Sequence, residues 1–72
     1  DQTESHLAQA ERHGVEGEQR VADQKALIHQ LTTDGHDTTE ASNLLRVLEE
    51  SLALMLHHRQ TILNEIAGKN AQ

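Results

Sequence analysis

The chain contains one sharp break in its 72 residues, and that break limits the folds open to it. No proline occurs anywhere, and the only cluster of turn-forming residues is TTDGHDTTEA at residues 32–41. Gly35 suits the left-handed position just past a helix end, and Asp37 with Glu40 three residues later has the pattern of a capping box. The sequence therefore predicts two helices that meet at a very short connection.

A connection this short forces neighbouring helices to run antiparallel. We expect helix 1 over about residues 4–34, a turn at 35–37 and helix 2 over about 38–67, each about 45 Å long at about 1.5 Å per residue. The predicted fold class is all-α: residues 1–72 form a single domain, an antiparallel two-helix hairpin that is coiled-coil-like and dimerises into a four-helix bundle.

Apolar residues at heptad spacing indicate the packed faces. Helix 1 has a weak seam that is interrupted by small and polar residues: Leu7, Ala10, Gly14, Gly17, Val21, Gln24, Ile28 and Leu31. Helix 2 has a stronger seam made of Ala41, Leu45, Leu48, Leu52, Met55, Arg59, Ile62 and Ile66. Further leucines and a valine widen the apolar arc of helix 2 to about 200°, whereas packing on one side needs a stripe of about 100°. One partner helix cannot cover that arc.

Five apolar residues lie on a flank that the opposite helix cannot reach. We call them the outer stripe: Leu27, Leu31, Leu44, Val47 and Leu54. Full burial of each side chain is worth about 1.5–3 kcal/mol, a total comparable with the whole stability of a small domain. A two-fold partner would cover the stripe with the same patch of its own surface, so we expect a homodimer with these residues at the interface. The competing expectation is a different protein partner.

Two glycines inside helix 1 mark a second feature of the pairing. In the register set by a turn near residue 35, Gly14 and Gly17 should face large side chains of helix 2: Leu52, Leu54, Met55 and His57. The prediction is a close approach of the helices beneath bulky residues, with a local unwinding or a gap for a ligand as the alternatives.

Arg59 falls within the seam of helix 2, where a charge without a partner would cost several kcal/mol. Glu11 lies at the right level of helix 1 to pair with it, and Glu18 is the next choice. We expect a structural ion pair between Glu11 and Arg59 that fixes the register of the hairpin. An arginine that binds an anion is the alternative.

Six histidines occur in the chain. The hairpin register places two of them on the same flank, with His13 of helix 1 opposite His58 of helix 2. Such a pair has the chemistry to hold zinc, another transition metal or a haem iron if Glu65 or a second pair from a dimer completes the site. The alternatives are solvated histidines with no ligand and a contact that responds to pH.

Composition excludes several classes of function. The chain has no cysteine and no aromatic residue, and its net charge is −6, so neither thiol chemistry nor binding to nucleic acid or anionic membranes is expected. No apolar run is long enough for a membrane span, and we expect a cytoplasmic protein. Nucleotide-binding loops, Glu-x-x-His pairs and catalytic triads are missing, so the chain is not expected to be an enzyme and has no expected cofactor apart from the metal alternative.

Two resemblances bear on function. The run LHHRQTIL, residues 56–63, resembles the phosphoacceptor box of a histidine-kinase group but lacks its polar continuation, and it points to His57 if the chain were a phosphotransfer relay. Residues 5–67, with DGHDTTEA followed by a leucine-rich helix that ends in HHR, resemble short bacterial proteins without an assigned activity. That resemblance implies a helical hairpin in a bacterial cytoplasm.

The function we expect is a non-enzymatic module for protein–protein interaction and oligomerisation. The first alternative is a small histidine-based metal or haem binding protein. The second alternative is the phosphotransfer relay.

Overall fold

The protein is a hairpin of two long antiparallel helices. The structure, a computed structural model, describes residues 2–70, with side chains over residues 5–69. Helix α1 spans Gln2–Thr33, helix α2 spans Thr39–Asn70, and residues 2–70 contain no strand. The molecule measures 58 × 14 × 14 Å. The predicted all-α hairpin is confirmed. Helix α1 ends and helix α2 begins within one residue of the predicted positions, whereas the outer end of each helix extends beyond its predicted position.

The turn between the helices begins with a Schellman motif at the end of α1. Gly35 has a φ of 77°, the left-handed conformation predicted for it, which a glycine adopts without a steric penalty. Its N–H donates to the carbonyl of Thr32 at 3.1 Å, and the N–H of His36 donates to the carbonyl of Leu31 at 2.8 Å. These two bonds satisfy carbonyls that would otherwise end the helix without partners.

Helix α2 begins with a cap that differs from the predicted capping box. The carbonyl of Thr38 accepts the first helical hydrogen bond, from the N–H of Ser42 at 2.8 Å. Asp37 Oδ1 accepts from the hydroxyl of Thr39 at 2.7 Å and from its N–H at 3.0 Å. The box is incomplete because, in the described part of the chain, the Glu40 carboxylate accepts no hydrogen bond from the N–H of Asp37. The Thr39 hydroxyl, the Thr39 N–H and the Thr38 N–H hold the pKa of Asp37 below its usual value.

The helices approach closely at the two glycines of α1. A Cβ added to Gly17 would lie 3.1 Å from Leu52 Cδ1 and 3.3 Å from Met55 Sδ, and one added to Gly14 would lie 3.6 Å from Leu56 Cδ2. Gly17 therefore faces Leu52 and Met55 as predicted. Gly14 faces Leu56. The predicted contacts of the glycines with Leu54 and His57 are not found.

The space between the helices encloses few side chains. The buried apolar residues of the described part are Ala10, Val21 and Ile62, at 5–8% exposure, and Gln24 is buried with them at 9%. Within residues 5–69 no side chain is completely enclosed. A two-helix unit has little interior, so most of its apolar surface is shielded on one side only.

Candidate interaction surface

The outer stripe is the main apolar feature of the surface. Leu27, Leu44, Val47 and Leu54 are 46%, 49%, 51% and 71% exposed, and Leu31 is half-buried. Isolated exposed leucines are ordinary on protein surfaces, but these residues share one flank of the hairpin. The structure therefore places the predicted interface residues where a partner could contact them.

The position of the outer stripe follows from the geometry of α2. Leu45, Leu48 and Leu52 are half-buried against α1. Leu44 and Val47 each precede one of these residues, so their side chains are rotated by about 100° away from the contact with α1. Helix α2 therefore has two apolar faces, and α1 covers only one of them.

The total surface of the hairpin is large for its mass. It exposes 5438 Å² at a mass of 8.0 kDa, whereas a compact monomer of that mass would expose about 4450 Å². The excess of about 1000 Å² is similar to the roughly 800 Å² that each partner buries in a protein–protein interface of standard size. An isolated hairpin thus has enough surplus surface for one such interface.

A groove with both apolar and charged walls lies on another part of the hairpin. It is an open groove of about 370 Å³ lined by Glu11, Gly14, Val15, Glu18, Leu56 and Arg59. Val15 is 66% exposed and Leu56 is 38% exposed. Val15 was not predicted from the sequence, because the residues three and four positions away from it are all polar or charged. Its proximity to Leu56 appears only when the two helices are placed together.

The predicted ion pair lies at the edge of this groove. Arg59 Nε is 3.8 Å from Glu11 Oε1, and the two side chains are 41% and 52% exposed. This separation is too long for a hydrogen bond, and exposed pairs of this kind are typically worth about 0.2–1 kcal/mol. The pair links the helices at the predicted level without contributing much stability.

The histidines do not form a ligand cluster within the described residues. His13 and His58 are both exposed, and residues 5–69 contain no group of three or more histidine, aspartate or glutamate side chains placed to hold a metal ion. A pair of imidazoles alone leaves a tetrahedral metal site two ligands short. The metal alternative therefore depends on a second chain.

The comparisons with known proteins give no family for the chain. No family model matches it, and neither the curated proteins nor the solved structures include a match. Over the described residues, neither helix is long and apolar enough to cross a membrane.

Proposed function

We propose that this chain is a non-enzymatic interaction module whose folded unit is a homodimer, formed when two hairpins cover each other's outer stripe to make a four-helix bundle. One observation carries the proposal. The outer stripe is exposed in a hairpin whose described part encloses no side chain completely, so the largest available gain in stability lies outside the single chain.

The energetics favour association. Each apolar side chain that passes from water to a buried position contributes about 1.5–3 kcal/mol at full burial. Leu27, Leu44, Val47 and Leu54 are at best half covered within one hairpin, so much of this contribution is unused. A homodimer would bury these side chains on both subunits at once, since a two-fold axis brings the same patch of each subunit together.

We further propose that the module acts in a bacterial cytoplasm, on the basis of the resemblance of DGHDTTEA and the following leucine-rich helix to short bacterial proteins. Its biological role would lie in what the assembled bundle binds. The metal and phosphotransfer alternatives have no comparable support, because each rests on exposed histidines without further ligands or a binding pocket around them.

Light scattering on the purified chain tests the proposal directly. A homodimer of 8.0 kDa chains would give about 16 kDa, and its circular dichroism signal at 222 nm should fall on dilution because folding and association are coupled. A well-folded monomer that keeps its helical signal on dilution would contradict the proposal. Aggregation of the isolated chain, reversed by a captured protein, would replace the homodimer by a complex with that protein.

A further inference from the structure

Helix α2 has a second heptad seam on its uncovered face. Leu44, Val47, Ser51, Leu54 and His58 follow one another at intervals of three and four residues, which is the spacing of residues that face a partner helix. We call these five residues the α2 seam. Ser51 is half-buried and the other four are exposed, so most of the seam is uncovered within one hairpin.

The α2 seam has no acidic or strongly basic side chain between Leu44 and His58. The corresponding flank of α1 is different: Asp23, Arg20 and Glu16 lie four, seven and eleven residues before Leu27, on its side of the helix, and all three are exposed. Two chains that each carry a net charge of −6 repel each other over most of their surface. The α2 seam is where two copies can meet without bringing carboxylates together.

We propose that α2 packs antiparallel against α2 of a second copy, with the two-fold axis crossing at the level of Glu49, between Val47 and Ser51. This inference rests on the proposed self-association and adds the helices and the register through which it occurs. In this register Leu44 faces the partner's Leu54, and Val47 faces the partner's Ser51. Each contact occurs twice, as a two-fold axis requires.

The charges at the ends of the seam favour this register. Glu40, four residues before Leu44, extends the seam and comes to face the partner's His58, so that a carboxylate meets an imidazole on both sides of the axis. Sliding one helix by a heptad in one direction would set Leu44 against the partner's Thr61 and Glu40 against the partner's Glu65, which loses the leucine pairs and adds two repulsive carboxylate pairs. Sliding it in the other direction would set Leu54 at the level of the partner's Asp37, which precedes α2, so the leucine pairs are lost there too.

The absence of cysteine allows a clean cross-linking test. Chains carrying Val47→Cys and chains carrying Ser51→Cys are mixed, allowed to exchange and treated with a short bismaleimide. The expected product is a covalent heterodimer joined between positions 47 and 51, in severalfold excess over either covalent homodimer. Arg46→Cys and Glu50→Cys provide the matched control. Each of these positions lies one residue before a test position, and the native side chains there are 66% exposed on the outer face.

The outcomes separate this inference from the proposed function. If light scattering shows a dimer of the two cysteine variants but the 47/51 mixture cross-links no more than the 46/50 mixture, the register is overturned and self-association stands. A chain that scatters as an 8.0 kDa monomer overturns both. A dominant heterodimer with the 47–51 linkage supports both.

A charge exchange tests the ends of the seam without cysteines. His58→Glu should weaken association by about tenfold, because each new carboxylate faces the partner's Glu40 and the two-fold axis produces two such repulsive pairs. Adding Glu40→Lys to the same chain should restore most of the loss. His57→Glu, one position earlier and off the seam, is the control, and equal weakening by His57→Glu and His58→Glu would overturn the register.

Discussion

The side-chain amide of Gln24 donates a 2.9 Å hydrogen bond to the main-chain carbonyl of Ala41, across the interface between the helices. Gln24 is one of the few buried residues of the hairpin and the only polar one with a bond to the other helix among residues 5–69. Ala41 lies in the first turn of α2, so the bond joins the last third of α1 to the beginning of α2. It fixes the register near the turn.

Replacing Gln24 tests whether this bond or apolar packing matters more for stability. Gln24→Ala should lower the free energy of unfolding by about 1–2 kcal/mol, since it removes both the bond and the packed side-chain stem. Gln24→Leu should be at least as stable as the native chain, because the Ala41 carbonyl still serves as a helical acceptor within α2. Thermal unfolding at one fixed chain concentration measures both variants. A Leu variant weaker than the Ala variant would contradict this account.

The two glycines of α1 should respond differently to alanine. An alanine at position 14 makes ordinary contact at 3.6 Å, so Gly14→Ala should stabilise the hairpin by up to about 1 kcal/mol through its helix propensity. At position 17 the new Cβ would lie only 3.1 Å from Leu52 Cδ1, so Gly17→Ala should gain less or lose stability. Urea unfolding of both variants gives the order, and equal gains would show that the close approach at Gly17 imposes no constraint.

The cap at Asp37 predicts a dependence on pH. Because the pKa of Asp37 is lowered in the folded chain, its carboxylate stabilises the fold above the unfolded pKa of about 3.9, and this contribution is lost as the pH falls through the folded pKa. Asp37→Ala should therefore be less stable than the native chain at neutral pH, and the difference should disappear in acid. Asp37→Asn, which keeps an acceptor oxygen, is the control. A difference between native and Ala chains that is unchanged at low pH would exclude this role.

The outer stripe gives the sharpest substitution. Leu54 is the most exposed leucine of the outer stripe at 71%, so Leu54→Asp removes no packing between α1 and α2 directly and should act by preventing dimerisation. Since folding and association are expected to be coupled, much of the helical signal should be lost with the dimer. Arg46→Asp, in an exposed 3.8 Å pair with Glu50 on the outer face, should change neither. Light scattering and circular dichroism on both variants provide the measurement.

The ion pair between Glu11 and Arg59 should make a small contribution. A double-mutant cycle with Glu11→Gln and Arg59→Gln should give a coupling energy below about 1 kcal/mol that decreases with added salt. Arg59→Met should be neutral or stabilising, because position 59 belongs to the apolar seam of α2. A coupling of several kcal/mol would show that the pair determines the register more strongly than its 3.8 Å separation indicates.

Local signals in the sequence were sufficient for the fold. Gly35 between two proline-free stretches of helical pattern defined the hairpin, and the heptad seams placed Glu11 opposite Arg59 and Gly17 opposite Leu52. The same signals could not decide details that depend on the rotation of one helix against the other. A register gives the level of a contact and not its flank, which is why Leu56, and not its neighbour His57, lies over Gly14.

The candidate surface was predictable to a similar extent. The excess width of the apolar arc of α2 is a property of the sequence, so the exposure of Leu44, Val47 and Leu54 follows from it. Val15 and the groove beside it do not, because they arise only where residues distant in the sequence meet. The cap of α2 is a similar case: the Asp37 carboxylate accepts from the hydroxyl and the N–H of Thr39, whereas a capping box would have it accept from the N–H of Glu40. The spacing of Asp37 and Glu40 does not distinguish these two arrangements.

The thin interior of the hairpin bears on how long such a chain would persist in a cell. Because the described residues enclose no side chain completely, we expect a solitary hairpin to open often, and each opening would expose main chain that a protease can cleave. Covering the outer stripe would suppress those openings in proportion to the concentration of partner. The rate at which the chain is degraded would then depend on its own concentration. At high concentration most copies would be paired and protected, and at low concentration most would be single and cleaved.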